Sequence, residues 1–224
     1  MADARIAGPE DRTVIIGRTG SGKTQYGLWL LSLQNVDEMP WVVIDYKRDA
    51  GIMDIPYARF VEPGYIPTSP GVYVVQPSVD AKEEMRDYTN ALLDAENVGI
   101  YVDEGFMFAD NSGLDAIFMQ GRSKHIPVII CTQRPVLLSR FAFTQASYIQ
   151  VFHVIDARDR KTIRGFAPIE TDDYNLPDYH SYHYDVGRDK LSVFKPVGSM
   201  ASIHARFRSK LEPEDEVSPR RAYI

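Results

Sequence analysis

The 224-residue chain has a single cysteine, no apolar run approaching a membrane span, no internal repeat, no low-complexity segment and no surplus of positive charge. Each absence removes a class of function. One thiol closes no internal disulfide, and Cys131 follows the apolar run Pro127, Val128, Ile129, Ile130, so it reads as a reduced core residue. A membrane helix needs about 20 apolar residues in a row, and the stretch MADARIAGPEDR has neither an apolar core nor a cleavage-like site. A soluble intracellular protein is the expectation. With 25 Lys and Arg against 31 Asp and Glu, the formal net charge is −6. That balance excludes a generally basic nucleic-acid coat and leaves only local contacts. His180, His183 and His204 lack the spacing and companions of a metal site and read as surface or packing residues.

What is present is an alternation. Strand-like segments at 13–17, 41–45, 71–76, 99–104, 127–133 and 148–154 are interleaved with helical patterns at 22–34, 81–95, 114–121 and 157–165. Alternation of this kind implies an α/β fold with a central, mainly parallel sheet covered by helices on both faces. Asp156 is placed to cap the helix at 157–165. The Pro- and Gly-rich stretch 51–70 reads as an irregular surface excursion. Residues 181–185 and 191–195 alternate polar with apolar around a turn containing Gly187, as a C-terminal β-hairpin does. Beyond Glu212 the chain is polar and is expected to be a flexible arm. The length suits one domain over 1–224, with a core at about 13–165 and the hairpin and arm at about 175–224.

The most specific chemistry lies between the first strand and the first helix. Gly17, Arg18, Thr19, Gly20, Ser21, Gly22, Lys23 and Thr24 form the pattern G-x-x-x-x-G-K-[ST]. Such a loop binds phosphate because its glycines let the backbone approach, its amide N–H groups form an anion nest, and the next helix presents its positive end. Lys23 is placed to reach the β and γ phosphates of a nucleoside triphosphate, and the Thr24 hydroxyl to take a place on Mg²⁺.

A metal ligand and a water-activating group are expected at the end of a buried strand beside the loop strand. Ile100, Tyr101 and Val102, followed by Asp103 and Glu104, meet that requirement. Asp103 is the expected Mg²⁺ ligand, and Glu104 the carboxylate that orients and polarises water. A carboxylate next to the metal ligand favours hydrolysis over transfer to an acceptor, so the pattern is that of an ATPase.

The segment from Gly121 to Pro135, GRSKHIPVIICTQRP, follows the Asp-Glu strand. Together these motifs resemble the FtsK–HerA superfamily of DNA-pumping P-loop ATPases over residues 13 to about 165. The short length is most similar to the genome-packaging ATPases of membrane-containing icosahedral viruses. The resemblance implies a RecA-like P-loop fold and a ring, hexameric or pentameric. Its partners would be double-stranded DNA held by backbone contacts and a capsid vertex or portal protein, in the host cytoplasm and at the packaging vertex. It implies ATP as the nucleotide.

By the same resemblance Gln133 senses the γ-phosphate, and an arginine from a neighbouring subunit completes the site. FtsK-type sequences supply that arginine from the strand aligned with 148–154, where Ile149 and Gln150 stand here, so Arg122 becomes the first candidate, with Arg134 and Arg140 behind it. Lys47 and Arg48 are candidate pore residues. Two rivals remain at this point. One is a cellular or plasmid DNA translocase of the same superfamily; the other is a protein-remodelling assembly ATPase that does not hold DNA.

Overall fold

The computed structural model describes residues 4–109, 111–170 and 176–213. Nine strands form one sheet, and their order places the loop strand deep inside it. β1 (Arg12–Ile16), β2 (Pro40–Asp45), β3 (Arg59–Val61), β4 (Gly71–Val75), β5 (Gly99–Asp103), β6 (Val128–Thr132), β7 (Tyr148–Val151), β8 (Ser181–Asp185) and β9 (Lys190–Phe194) lie in the order β3-β4-β2-β5-β6-β1-β7-β8-β9. Every pairing from β3 to β7 is parallel, whereas β7–β8 and β8–β9 are antiparallel. The α/β, mainly parallel architecture read from the alternation is therefore the observed one. The hairpin β8–β9 extends the same sheet.

Parallel strands covered on both faces need apolar side chains on both, and β1, β4, β5 and β6 are buried at every position. One face is covered by α3 (Lys82–Ala95), α4 (Ser112–Gln120), α5 (Arg140–Thr144) and α6 (Ala157–Arg164). The other carries α1 (Lys23–Leu33), α2 (Ala50–Met53) and α7 (Met200–Leu211). Helix α1 lies unusually close to the sheet because Gly27 has no side chain: a Cβ there would come within 2.8 Å of the Tyr101 hydroxyl and 2.9 Å of Cys131 Sγ. Cys131 is buried in that contact, and its surroundings push the thiol pKa well up. Asp156 caps α6 as expected, accepting from the N–H groups of Arg158 and Asp159 at 2.8 and 3.3 Å.

Three expectations need correction. The strand beside β1 is β6, not β5, so the Asp-Glu strand stands one place further away. The excursion at 51–70 is not wholly irregular: it holds most of α2, capped by Asp49, and the three-residue edge strand β3. Such short elements carry no readable periodicity. Helix α7 was not foreseen at all. It lays Ile203 and Phe207 on α1, which explains why α1 is apolar around nearly its whole circumference. The arm expected beyond Glu212 falls, from 214 onward, outside the described residues. Among the described residues no helix is long and apolar enough to cross a membrane.

Candidate active site

Because the strands from β3 to β7 are parallel, their C-terminal ends share one edge of the molecule, where an open α/β sheet places its ligand crevice. The loop between β1 and α1 lies there. Gly20 and Gly22 take φ of 77° and 95°, a left-handed conformation that side-chain-bearing residues rarely adopt. These turns end in α1, whose first residue is Lys23. The loop is tied to both neighbouring strands: Gly17 N donates to Thr132 O at 3.1 Å and Arg18 N to His153 O at 3.0 Å.

Charged groups converge on this loop from β2, β5 and β6. Lys23 Nζ stands 2.9 Å from Glu104 Oε1, with both side chains almost wholly buried. Lys47 Nζ, on the turn after β2, pairs with the same carboxylate oxygen. Thr24 Oγ1 donates to Asp103 Oδ1 at 3.2 Å, and Thr19 Oγ1 donates to Gln133 Oε1 at 2.8 Å. The insertion of β6 between β1 and β5 has a consequence here. It sets Gln133 between the loop and the two carboxylates.

The electrostatics follow from burial. Desolvation pushes Asp103 up to about 6, a rise opposed by Lys23 and reinforced by Glu104. Burial acts to lower the Lys23 ammonium, but the charge and hydrogen bond of Glu104 outweigh it and the net direction is upward. Asp103 Oδ2 and Glu104 Oε2 are buried with no hydrogen-bond partner among the described residues. Two unsatisfied carboxylate oxygens beside an anion nest are costly unless a cation or a water meets them. Glu104 itself takes φ of 65°, so the backbone is held in a sparsely populated conformation to aim this carboxylate.

Lys47, expected at a pore, thus has its ammonium on Glu104, while Arg48 beside it is exposed. The turn is organised by Asp45, fully buried at the end of β2 and paired in register with Asp103. It accepts from Lys47 N, Asp49 N and Gln76 Nε2. A second strand ending in Asp, followed by Lys47, was the signal in the sequence. Another group went unnoticed: Tyr179 and Phe152 form a wall beside Gly22 and Gln25 with Pro196 and Val197.

The three arginine candidates separate. Arg134 pairs with buried Asp159 at 3.3 Å, and Arg140 stacks its guanidinium over Phe166 at 5.1 Å. Arg122 lies on the turn after α4, exposed and without an ion pair or hydrogen bond from its side chain among the described residues. It precedes β6, so it sits at the N-terminal end of the sheet, roughly 16 Å along the strands from the loop. Within one subunit it is not brought to the loop. Gln150 is committed elsewhere, bonded to Ser181 and to His183, which is buried between Tyr148 and Phe194.

No protein-family model matches the sequence. The chain is 35% identical over 216 residues to the DNA packaging ATPase P9 of Enterobacteria phage PRD1, covering 91% of this chain and 94% of that protein. Its fold is similar to that of the genome packaging NTPase B204 of Sulfolobus turreted icosahedral virus 2 in complex with AMPPCP. That match has a TM-score of 0.66 and 20% identity, over 85% of this chain and 100% of the other. It is also similar to the cytoplasmic domain of the type VII secretion ATPase EccC of Thermomonospora curvata, with a TM-score of 0.61 and 17% identity over 89% of this chain and 28% of that one. The loop, the paired carboxylates and an identity that runs nearly the full length of both sequences agree: the chain belongs to the family of viral DNA packaging ATPases of the FtsK–HerA type.

Proposed function

We infer that this chain hydrolyses ATP to drive double-stranded DNA into a preformed viral capsid. Residues 1–224 act as one ATPase unit within a homo-oligomeric ring, a hexamer or pentamer, docked on the capsid vertex or portal in the host cytoplasm. The observation that carries the reading is the convergence of Lys23 and Thr24 on Glu104 and Asp103, at 2.9 and 3.2 Å.

The residues present fit Mg²⁺. Thr24 Oγ1 and the Asp103 carboxylate are hard oxygen donors side by side, one Asp103 oxygen is unsatisfied, and no denser cluster of three acidic, His or Cys ligands occurs among the described residues. That is the sparse protein ligation Mg²⁺ prefers, its other sites going to phosphate oxygens and water. When bound, the ion neutralises charge on the β and γ phosphates.

The protein's own residues do the rest. The N–H groups of residues 17–24 and the Lys23 ammonium hold the phosphates. Lys23 exchanges Glu104 for a phosphate oxygen, and Glu104 keeps Lys47 as its counter-ion and stays ionised. The free Glu104 Oε2 accepts a hydrogen bond from water and then its proton, as the water oxygen bonds to the γ-phosphorus. The bond to the bridging oxygen breaks, and its electron pair leaves on ADP. Gln133, already bonded to Thr19, registers the loss of the γ-phosphate. Arg122, from a neighbouring copy, meets the charge that develops on the transferred phosphoryl group. Tyr179 and Phe152 flank the base. DNA is gripped through its phosphates by residues lining the ring, without base readout.

Glu104→Gln tests the reading. The variant should bind ATP normally and lose turnover, while double-stranded DNA should raise the wild-type rate in a salt-dependent way. Normal hydrolysis by the variant removes the water-activating role. A rate indifferent to DNA of any length, at low and high salt, removes the translocase assignment.

A further inference from the structure

The N-terminal end of the sheet carries a feature that the nucleotide site does not use. A cavity of about 860 Å³ opens there, walled by the first residues of β1 and β7 and the end of β8, with the turn bearing Arg122 at its side. Arg12 lines it and is 4% exposed. By the two-residue period of a strand Arg12 shares the face of Val14 and Ile16, which belongs to the apolar core. A charged side chain at such a position is costly without a partner. Yet Arg12 Nε and Nη2 are buried and have no hydrogen-bond partner among the described residues.

The cavity does contain carboxylates, but they are engaged by their own neighbours. Asp11 accepts from Gly8 N at 2.8 Å, Glu10 faces His125 at 3.5 Å, and Asp185 accepts from Arg188 N at 3.1 Å. Burial and the nearby charge of Arg122 both lower the pKa of Arg12, so the two cations stand together uncompensated. Nε and Nη2 form the side-on edge of a guanidinium, whose two parallel N–H bonds match two oxygens of one phosphate or carboxylate. The volume falls within the ~300–1,000 Å³ of sites that take whole small molecules, and exceeds what a lone phosphate ion fills.

We propose that this cavity takes a phosphoryl oxyanion, held side-on by Nε and Nη2 of Arg12 with Arg122 beside it, and that the oxyanion is the terminal phosphate of nucleotide carried by a second copy of this chain. The inference rests on the reading of Arg122 as a residue acting between subunits, and adds a second cation to it. Arg12 is then the fixed, buried fork and Arg122 the exposed arm of one receiving surface.

The test uses the full chain. Arg12→Gln should bind a fluorescent ATP analogue as wild type does when diluted to single subunits, and lose about 10²-fold or more in ATPase rate when assembled. Mixing it with Lys23→Ala subunits should return activity above the sum of the two separate rates, because each variant keeps the half the other lacks. No recovery here, alongside recovery in an Arg122→Ala plus Lys23→Ala mixture, overturns the role of Arg12 and leaves the Arg122 reading standing. No recovery in either mixture overturns both. Binding of inorganic phosphate by dilute wild type that is lost in Arg12→Gln, without recovery on mixing, assigns the cavity to free phosphate and also overturns the proposal. Should Arg12→Gln fail to fold, Arg12→Lys keeps the charge and removes the fork. An unchanged melting temperature with at least a tenfold slower ATPase is expected, and wild-type turnover overturns the proposal.

Discussion

The two ends of the central sheet treat charge in opposite ways. At the C-terminal end, Lys23, Lys47, Glu104, Asp103 and Thr24 neutralise one another within one subunit, so the nucleotide site is pre-assembled and internally balanced. At the N-terminal end, Arg12 and Arg122 carry charge with no opposite partner for their side chains among the described residues. A balanced site can wait empty at little cost. An unbalanced one costs stability in the isolated chain, and is explained by a partner that arrives on assembly. The difference points to one reaction centre divided between two copies.

The contrast breaks most sharply at Arg122. In the assembled protein Arg122→Ala should slow steady-state ATP hydrolysis by about 10³-fold or more, the scale of an arginine that stabilises a phosphoryl-transfer transition state, while ATP binding to dilute subunits is unchanged. Weakened binding in the dilute subunit would place Arg122 within its own site. Glu104→Gln should cost about 10²–10⁴-fold in turnover measured with ATP at saturation, and here binding should persist because Lys23 loses a competitor for the phosphate.

Arg134→Ala gives the opposite pattern. It leaves Asp159, 2% exposed, with only the Val136 N–H at 3.2 Å, so the expected result is a melting temperature lower by several degrees. Half-exposure of Arg134 keeps the effect below that of a fully buried pair. Turnover per folded subunit should stay within a few-fold of wild type, and a loss comparable to that of Arg122→Ala would transfer the role to Arg134. The smallest effect is at Tyr179. Replacement by Ala should weaken ATP binding by about 5–10-fold with little change in turnover at saturation, the low end of base–aromatic stacking, because this ring is half exposed.

How much of this was legible depended on distance along the chain. The phosphate loop, the Asp103-Glu104 strand end and the β8–β9 hairpin are local patterns, each set by residues within a few positions, and each could be read directly. Alternation of strand and helix also carried the sheet. What could not be read was which elements become neighbours. Nothing near Ile100 says that β6 slides between β5 and β1, and the position of Gln133 against Thr19 follows from that insertion. Helix α7 buries only Ile203 and Phe207 among many charged and small residues, so it reads as tail until α1 is placed beneath it. Arg12 looks like an ordinary charge before a strand. Its burial is created by β6 and β7 and the cavity beside them, all remote in sequence. Lys47 is similar: only the register of Asp45 with Asp103 brings the turn after β2 onto Glu104.

The division of one reaction centre between copies is tested most directly by mixing two inactive variants. Lys23→Ala subunits keep Arg122 and lack a working loop; Arg122→Ala subunits keep the loop and lack the arginine. Each alone should be nearly inactive, and an equimolar mixture should hydrolyse ATP well above the sum of the two. A mixture no faster than that sum, with both variants folded and assembled, would contradict the division and return the whole site to a single subunit.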